Sequence, residues 1–179
     1  MTLYTVGHGT LAPDELLAVL GGAHVDAVVD VRTVPGSRRH PHFSRDRLAE
    51  WMPAGGVGYR WEPELGGFRK PRPDSRHVAL RHPSFRGYAD YMDTDTFAAA
   101  LERLLEEAAQ GRVAAMCSES VWWRCHRRLL ADAVVVGRGG EVLHLMHDGR
   151  VEPHRPTEGV RPDGERLAYD VGVTPPLGS

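Results

Sequence analysis

The segment Val113-Ala114-Ala115-Met116-Cys117-Ser118-Glu119-Ser120-Val121-Trp122-Trp123-Arg124-Cys125-His126-Arg127-Arg128-Leu129-Leu130 joins two kinds of pattern. Its first four residues are a short apolar run that follows Gly111, which predicts a strand buried on both faces. From near Trp123 through Val136 the apolar residues recur at helical spacing, which predicts a helix. A buried strand, a polar turn rich in ionisable residues and then a helix is half of a parallel βαβ unit.

The flanking chain repeats the alternation. Leu3 to Val6 reads as a strand that ends at Gly7-His8-Gly9-Thr10, and Leu11, Leu16, Leu17 and Leu20 follow as a helix up to Gly21-Gly22. Val25 to Val31 is a β-branched, nearly continuous second strand that breaks at Pro35-Gly36. Asp46 to Met52 is a short helix, Val57 to Trp61 a third strand, and Leu65 to Phe85 a long loop with Pro71, Pro73 and Pro83. Phe97, Leu101, Leu104 and Leu105 mark an amphipathic helix from about Asp95 to Gln110, and Val142 to Met146 is a last buried strand. The expected fold is therefore α/β and three-layered, a mostly parallel central sheet with helices on both faces. Residues 1–150 make one domain, and 151–179 form a weakly patterned tail that belongs to it or packs on it.

With 179 residues the chain has the size of one ordinary domain and can bury a core without staples. A formal charge of -2 hides a clustering of arginines in Arg32 to Arg47, Arg69 to Arg86 and Arg124 to Arg128, so local anion binding is compatible with a near-neutral total. Two cysteines, no signal-like start and no long apolar run point to a reducing, cytoplasmic setting with no membrane partner.

Parallel strands point the same way, so the residues that follow them meet at one sheet edge, where open α/β sheets bind ligands. These are His8, then Asp30 and Arg32, then Gly66 and Gly67, then Cys117 and Glu119. Cys125, His126 and Arg127 lie at the start of the next helix, whose free N–H groups favour an anion and would lower a thiol pKa. In the functional reading Cys117 or Cys125 is a nucleophile or redox group, His126 or His8 a base, Glu119 and Asp30 acid/base groups, and Arg32, Arg38 and Arg127 anion clamps. In the structural reading the cysteines are simply buried, and Arg32 pairs with Asp30 or Glu119. A protein tyrosine phosphatase loop needs Cys, five residues and Arg; here the first Arg after Cys117 comes one position late, and that reading fails. Paired CxxC or HxxH spacing is absent, and a metal held by Cys117, Cys125, His126 and His8 would require the fold to join two thiols eight residues apart, so no metal is assigned. The cofactor is left unknown.

Other residues read more simply. His144 is a hydrogen-bonded sheet residue, Gly66-Gly67 a turn or a site of close backbone approach, and Trp122-Trp123, Tyr88 and Tyr91 core or interface aromatics. Phe43, beside Arg38, Arg39 and two histidines, is a candidate platform for a stacked base.

Taken together, Thr5-Val6-Gly7-His8, Val29-Asp30-Val31-Arg32 with Pro35 and Ser37-Arg38, Tyr59 with Leu65-Gly66-Gly67, Tyr88…Tyr91-Met92 and Met116-Cys117-Ser118-Glu119…Cys125-His126-Arg127 resemble the family called domain of unknown function 488. The resemblance runs from about Thr5 to His144. It implies a compact intracellular α/β domain and marks His8, Asp30, Arg32, Arg38, Gly66, Gly67, Cys117, Glu119, Cys125, His126 and Arg127, without bringing an established reaction. Gly9 and Ser118 depart from the residues usual there, a small hydroxyl residue and Ala.

Three functions are expected in order: an enzyme acting on a nucleotide, nucleic acid or other anionic substrate; a nucleic-acid-binding or regulatory module with a basic rim; and a thiol switch that joins Cys117 to Cys125.

Overall fold

The computed structural model describes residues 1–36 and 38–173. Eight strands, β1 (Thr2–Gly7), β2 (Ala27–Asp30), β3 (Gly58–Trp61), β4 (Val113–Cys117), β5 (Glu141–Leu145), β6 (Val151–Pro153), β7 (Val160–Asp163) and β8 (Arg166–Tyr169), alternate early in the chain with helices α1 (Pro13–Gly22), α2 (Arg45–Ala54), α3 (Pro83–Met92), α4 (Asp95–Gln110) and α5 (Arg127–Arg138). The main sheet has the order β3-β2-β4-β1-β5-β6, and its first five strands are parallel. β6 adds an antiparallel edge.

The two faces follow from the period of two along each strand. On β2, Val28 turns to one side and Val29 to the other; on β4, Ala114 and Met116 oppose Val113, Ala115 and Cys117. One face packs against Leu16 and Leu20 of α1 and Leu48 and Met52 of α2. The other packs against Tyr88 of α3, Leu101 and Leu104 of α4 and Leu129 and Leu130 of α5. Helices on both sides of a mostly parallel sheet make the three-layer α/β fold expected from the sequence.

The topology explains where a cleft opens. The connections leaving β1 and β2 pass to the face that carries α1 and α2, whereas the one leaving β4, which sits between them, passes to the opposite face through α5. The backbone parts there and leaves a crevice at the carboxyl edge.

Two parts of the chain are more regular than the sequence reading. The loop expected to run to Phe85 ends at Pro83, which starts α3: proline suits the first helical turn, where its missing N–H has no intrahelical partner to lose. Gly87, inside that helix, weakens the pattern yet is required by packing, since a Cβ there would lie 2.1 Å from the Arg69 carbonyl oxygen. The tail holds β6 and a β7–β8 hairpin, which turns at Gly164 with φ +62° and lays Leu167 and Tyr169 into the core on the α3 and α5 side. Tyr88 and Tyr91 donate from their hydroxyls to the Leu65 and Glu64 carbonyls, at 2.8 Å each, and so hold the Gly66-Gly67 turn in place.

The two kinds of helical glycine should separate in a stability measurement. Gly21 of α1 has open space around it, and Gly21→Ala should raise stability by about 0.4–1 kcal/mol by restricting the unfolded chain. Gly87→Ala should lower it by about 1–3 kcal/mol through the clash with backbone. Denaturant midpoints that move the same way in both variants would contradict this packing.

Candidate active site

At the carboxyl edge lies a cleft of about 600 Å³. Its floor is the end of β4 and the start of α5, with Cys117, Cys125 and His126; its walls are Arg32 and Thr33 beyond β2, Gly67 and Phe68, and the amino end of α3. Both cysteines are free and buried. The seven residues between them fold back through a 3-10 turn at Trp122–Arg124, so that both sulfurs and the His126 Nδ1 lie within 4.8 Å of one another.

His126 sits at the amino end of α5 with Nε2 3.0 Å from the Val31 carbonyl oxygen. A carbonyl only accepts, so Nε2 carries a proton, and the neutral ring presents its lone pair at Nδ1. That lone pair faces Cys125 Sγ at 3.6 Å and Cys117 Sγ at 3.9 Å.

The two thiols are not equivalent. The neighbouring Cys125 sulfur, together with burial, pushes the Cys117 pKa up to about 12. For Cys125, burial pushes upward, but the neighbouring Cys117 thiol and the charge, backbone N–H and Nε of Arg127 outweigh it and bring the pKa down to about 6. The helix amino end and the guanidinium thus favour a thiolate on Cys125.

Arg127, read from sequence as a clamp facing substrate, is instead 1% exposed behind the floor. Its guanidinium donates to the Glu119 carbonyl, to Cys125 Sγ at 3.4 Å and to Thr5 Oγ1 at 3.4 Å. The Thr5 hydroxyl donates to His144 Nδ1 (2.6 Å), His144 Nε2 to His154 Nδ1 (3.0 Å), and His154 Nε2 to Asp132 Oδ1 (2.8 Å). Every donor in this buried chain points from Arg127 toward Asp132. His144 uses both ring nitrogens as a neutral ring, and burial with the neighbouring His154 and Arg127 lowers its pKa to about 2. Trp122 stacks on it at 4.2 Å.

Asp30 and Arg32 likewise turn inward. Arg32 makes a two-pronged ion pair with Asp30, at 2.8 and 2.6 Å, and donates to the Phe43 carbonyl; Tyr59 Oη donates to Asp30 Oδ2 at 2.8 Å. Arg32 Nη1 donates to His8 Nε2 at 3.2 Å while His8 Nδ1–H donates to the Gly9 carbonyl, which fixes a neutral ring. Burial and the nearby Arg32 charge lower the His8 pKa to about 4, against the opposing Gly9 bond. Phe43, proposed as a base platform, is buried with its ring stacked on His8 at 3.9 Å. It has no face left for a ligand.

Of the residues singled out from the sequence, Cys117, Cys125, His126, Glu119, Arg32 and Gly67 line the cleft. His8, Asp30, Arg127 and Gly66 stand behind its wall, and Arg38 is exposed on the loop after β2 away from it. Ser37 lies outside the described residues. Gly67 has a steric reason: a Cβ there would sit 2.9 Å from His126 Nδ1. Glu119 is exposed at the mouth and accepts from the Val121 N–H at 3.2 Å.

The sequence reading passed over several rim residues, among them Phe68, Phe85 and His82. Phe68 is 95% exposed and has φ +57°, an unfavourable backbone state for a side chain of that size, which sets an aromatic ring at the cleft margin. A phenylalanine after two glycines carries no periodic signal. Trp123, read as core or interface, is 45% exposed on the same rim.

Fold and site define an α/β domain with a cysteine and histidine centre at the carboxyl edge of its sheet. The model of the family described as "Domain of unknown function DUF488" matches residues 12–134, and the chain belongs to that family. No curated protein and no solved structure matches it. Among the described residues, no helix is long and apolar enough to cross a membrane.

The two neutral histidines predict an acid limb in stability. Their folded pKa values, about 4 for His8 and about 2 for His144, lie below the unfolded value of 6.5. The unfolded chain therefore binds more protons as pH falls below about 6.5, and each ring removes up to about 1.4 kcal/mol of stability per pH unit until its folded pKa is reached. Denaturant unfolding between pH 6.5 and 4 should show this slope, reduced in His8→Gln. An identical slope in that variant would contradict the assignment.

Proposed function

We propose that this cleft is the active site of an enzyme acting on a flat, anionic small molecule of the nucleotide class, with Cys117, Cys125 and His126 as its reacting centre. The carrying observation is the convergence of two sulfurs and an imidazole lone pair on the floor of a cleft rimmed by Phe68, Phe85 and Trp123. Aromatic rims favour a flat partner by stacking, worth about 1–3 kcal/mol per base. Arg124 and the amino ends of α3 and α5 supply positive potential for an anionic group. The Glu119 carboxylate at the mouth is placed to exchange a proton between a bound molecule and solvent. Free thiols at the reacting centre suit a reducing, cytoplasmic setting.

The basic-rim reading has less to draw on. Arg47 pairs with Glu50, Arg72 with Asp74 and Asp90, and Arg76 with Asp93 and Asp163, while Arg45 and Arg69 lie over Trp61 and Tyr91. Arg72 and Arg76 tie their loop to the end of α3, and Arg47 pairs within α2. A dithiol switch is the second reading, favoured by the approach of the two free thiols.

Calorimetric titration with AMP, ADP, adenosine and inorganic phosphate tests the proposal. The nucleotides should bind more tightly than adenosine or phosphate alone, and their affinity should fall as salt rises. Trp123→Ala and Arg124→Ala, both exposed and tolerant of replacement, should each weaken binding about tenfold, equivalent to about 1.4 kcal/mol. Absence of binding by either nucleotide, or binding unchanged in both variants, would overturn it.

A further inference from the structure

We propose that Cys117 Sγ, Cys125 Sγ and His126 Nδ1 bind one tetrahedral divalent metal ion of the zinc class, with its fourth position open to the cleft. The distances carry this. Zinc bonds of about 2.3 Å to sulfur and about 2.0–2.1 Å to nitrogen place the donors of a tetrahedral site about 3.6 Å apart for sulfur to nitrogen and about 3.8 Å for sulfur to sulfur. The structure sets Nδ1 at 3.6 and 3.9 Å from the two sulfurs and keeps all three donors within 4.8 Å. Both sulfur–nitrogen distances are within a few tenths of an ångström of that geometry, and the two sulfurs, within 4.8 Å of each other, close by up to about 1 Å to complete it.

The surroundings are those of a ligand set rather than of a packed core. His126 is anchored through Nε2–H to the Val31 carbonyl, the outer bond that fixes the tautomer and aim of a metal-binding imidazole. Among the described residues its Nδ1 lone pair has only the two thiols as hydrogen-bond partners, and they are weak donors at those separations. Arg127 places Nε at the Cys125 sulfur and adds a positive charge that offsets the second thiolate of a two-thiolate site. Gly67 keeps the space beside Nδ1 clear, since a Cβ would lie 2.9 Å from it. Two sulfurs and one imidazole suit zinc and other thiophilic metals in preference to magnesium or calcium.

Three protein donors leave one position, and the open side is the cleft. Structural zinc sites close all four positions with protein; catalytic sites keep one for water or substrate. A water there would be acidified, and an anionic oxygen of a substrate could replace it. This role for the fourth position rests on the reading of the cleft as an active site, whereas the binding of the metal does not.

Metal analysis of the protein purified under reducing conditions and reconstituted with zinc should find one equivalent per chain. The cobalt form should show the strong visible bands of a tetrahedral ion and near-ultraviolet thiolate charge transfer, and zinc should protect both thiols from a thiol reagent in the native protein. Cys117→Ser and His126→Ala should each weaken zinc binding at least tenfold. If either variant fails to fold, the cobalt spectrum and thiol protection of the wild type decide. Less than a tenth of an equivalent of zinc, a six-coordinate cobalt spectrum, or two thiols that react equally with and without zinc would overturn the proposal; so would a Cys117–Cys125 disulfide as the resting form of the reduced preparation. Zinc bound without any nucleotide affinity would sink the substrate class alone, and nucleotide affinity unchanged in a protein that refuses zinc would sink the metal alone.

Discussion

A guanidinium buried among apolar side chains constrains the whole centre of this molecule. Arg127 is 1% exposed, and among the described residues no carboxylate forms an ion pair with it. Its compensation comes from the Glu119 carbonyl, the Cys125 sulfur and the hydrogen-bond chain through Thr5, His144 and His154 to Asp132. A buried charge left without such partners would cost several kcal/mol, so the loop after β4, the strands β1 and β5 and the tail at His154 are held to positions that satisfy it. Tyr169 Oη and the Thr157 N–H complete the shell of Asp132 and draw the hairpin into the same network.

That constraint shapes the chemistry at the cleft floor. The sulfur nearest Arg127 is the one favoured as a thiolate, and the same turn that brings Cys125 to the guanidinium brings it to Cys117 and to His126. A buried ion pair, Asp30 with Arg32, fixes the opposite wall through His8, Phe43 and Tyr59. Arg127 and this pair both work as framework. The groups left facing solvent space are the cysteine and histidine centre, the Glu119 carboxylate and an aromatic rim.

Much of this was legible in the residues. The continuous apolar run around Val28 and Val29 and the helical spacing of Phe97, Leu101 and Leu104 predict β2 and α4, and a shared strand direction is enough to bring the loop residues to one edge. α3 was hidden because Pro83 and Gly87 are local signs of a loop, and only the approach of the Arg69 backbone explains the glycine. The inward turn of Arg127 and Phe43 was hidden because a charged or aromatic residue beside other cations looks solvent-facing in one dimension, whereas the pairing of Arg32 with Asp30 was one of the partners the residues offered. His154 and Asp132 carry no local pattern at all; their role exists only when β5, β6 and α5 are packed together. The cysteine spacing matches no familiar ligand motif because the 3-10 turn, not a CxxC hairpin, closes the distance.

Anomalous diffraction at the zinc edge from crystals grown with zinc tests directly whether Cys117, Cys125 and His126 act as one centre at the cleft floor. One peak about 2.3 Å from each sulfur and about 2.1 Å from Nδ1, open toward the cleft, is the result predicted. No peak at the three donors, with two separate thiols or a disulfide in its place, would contradict it.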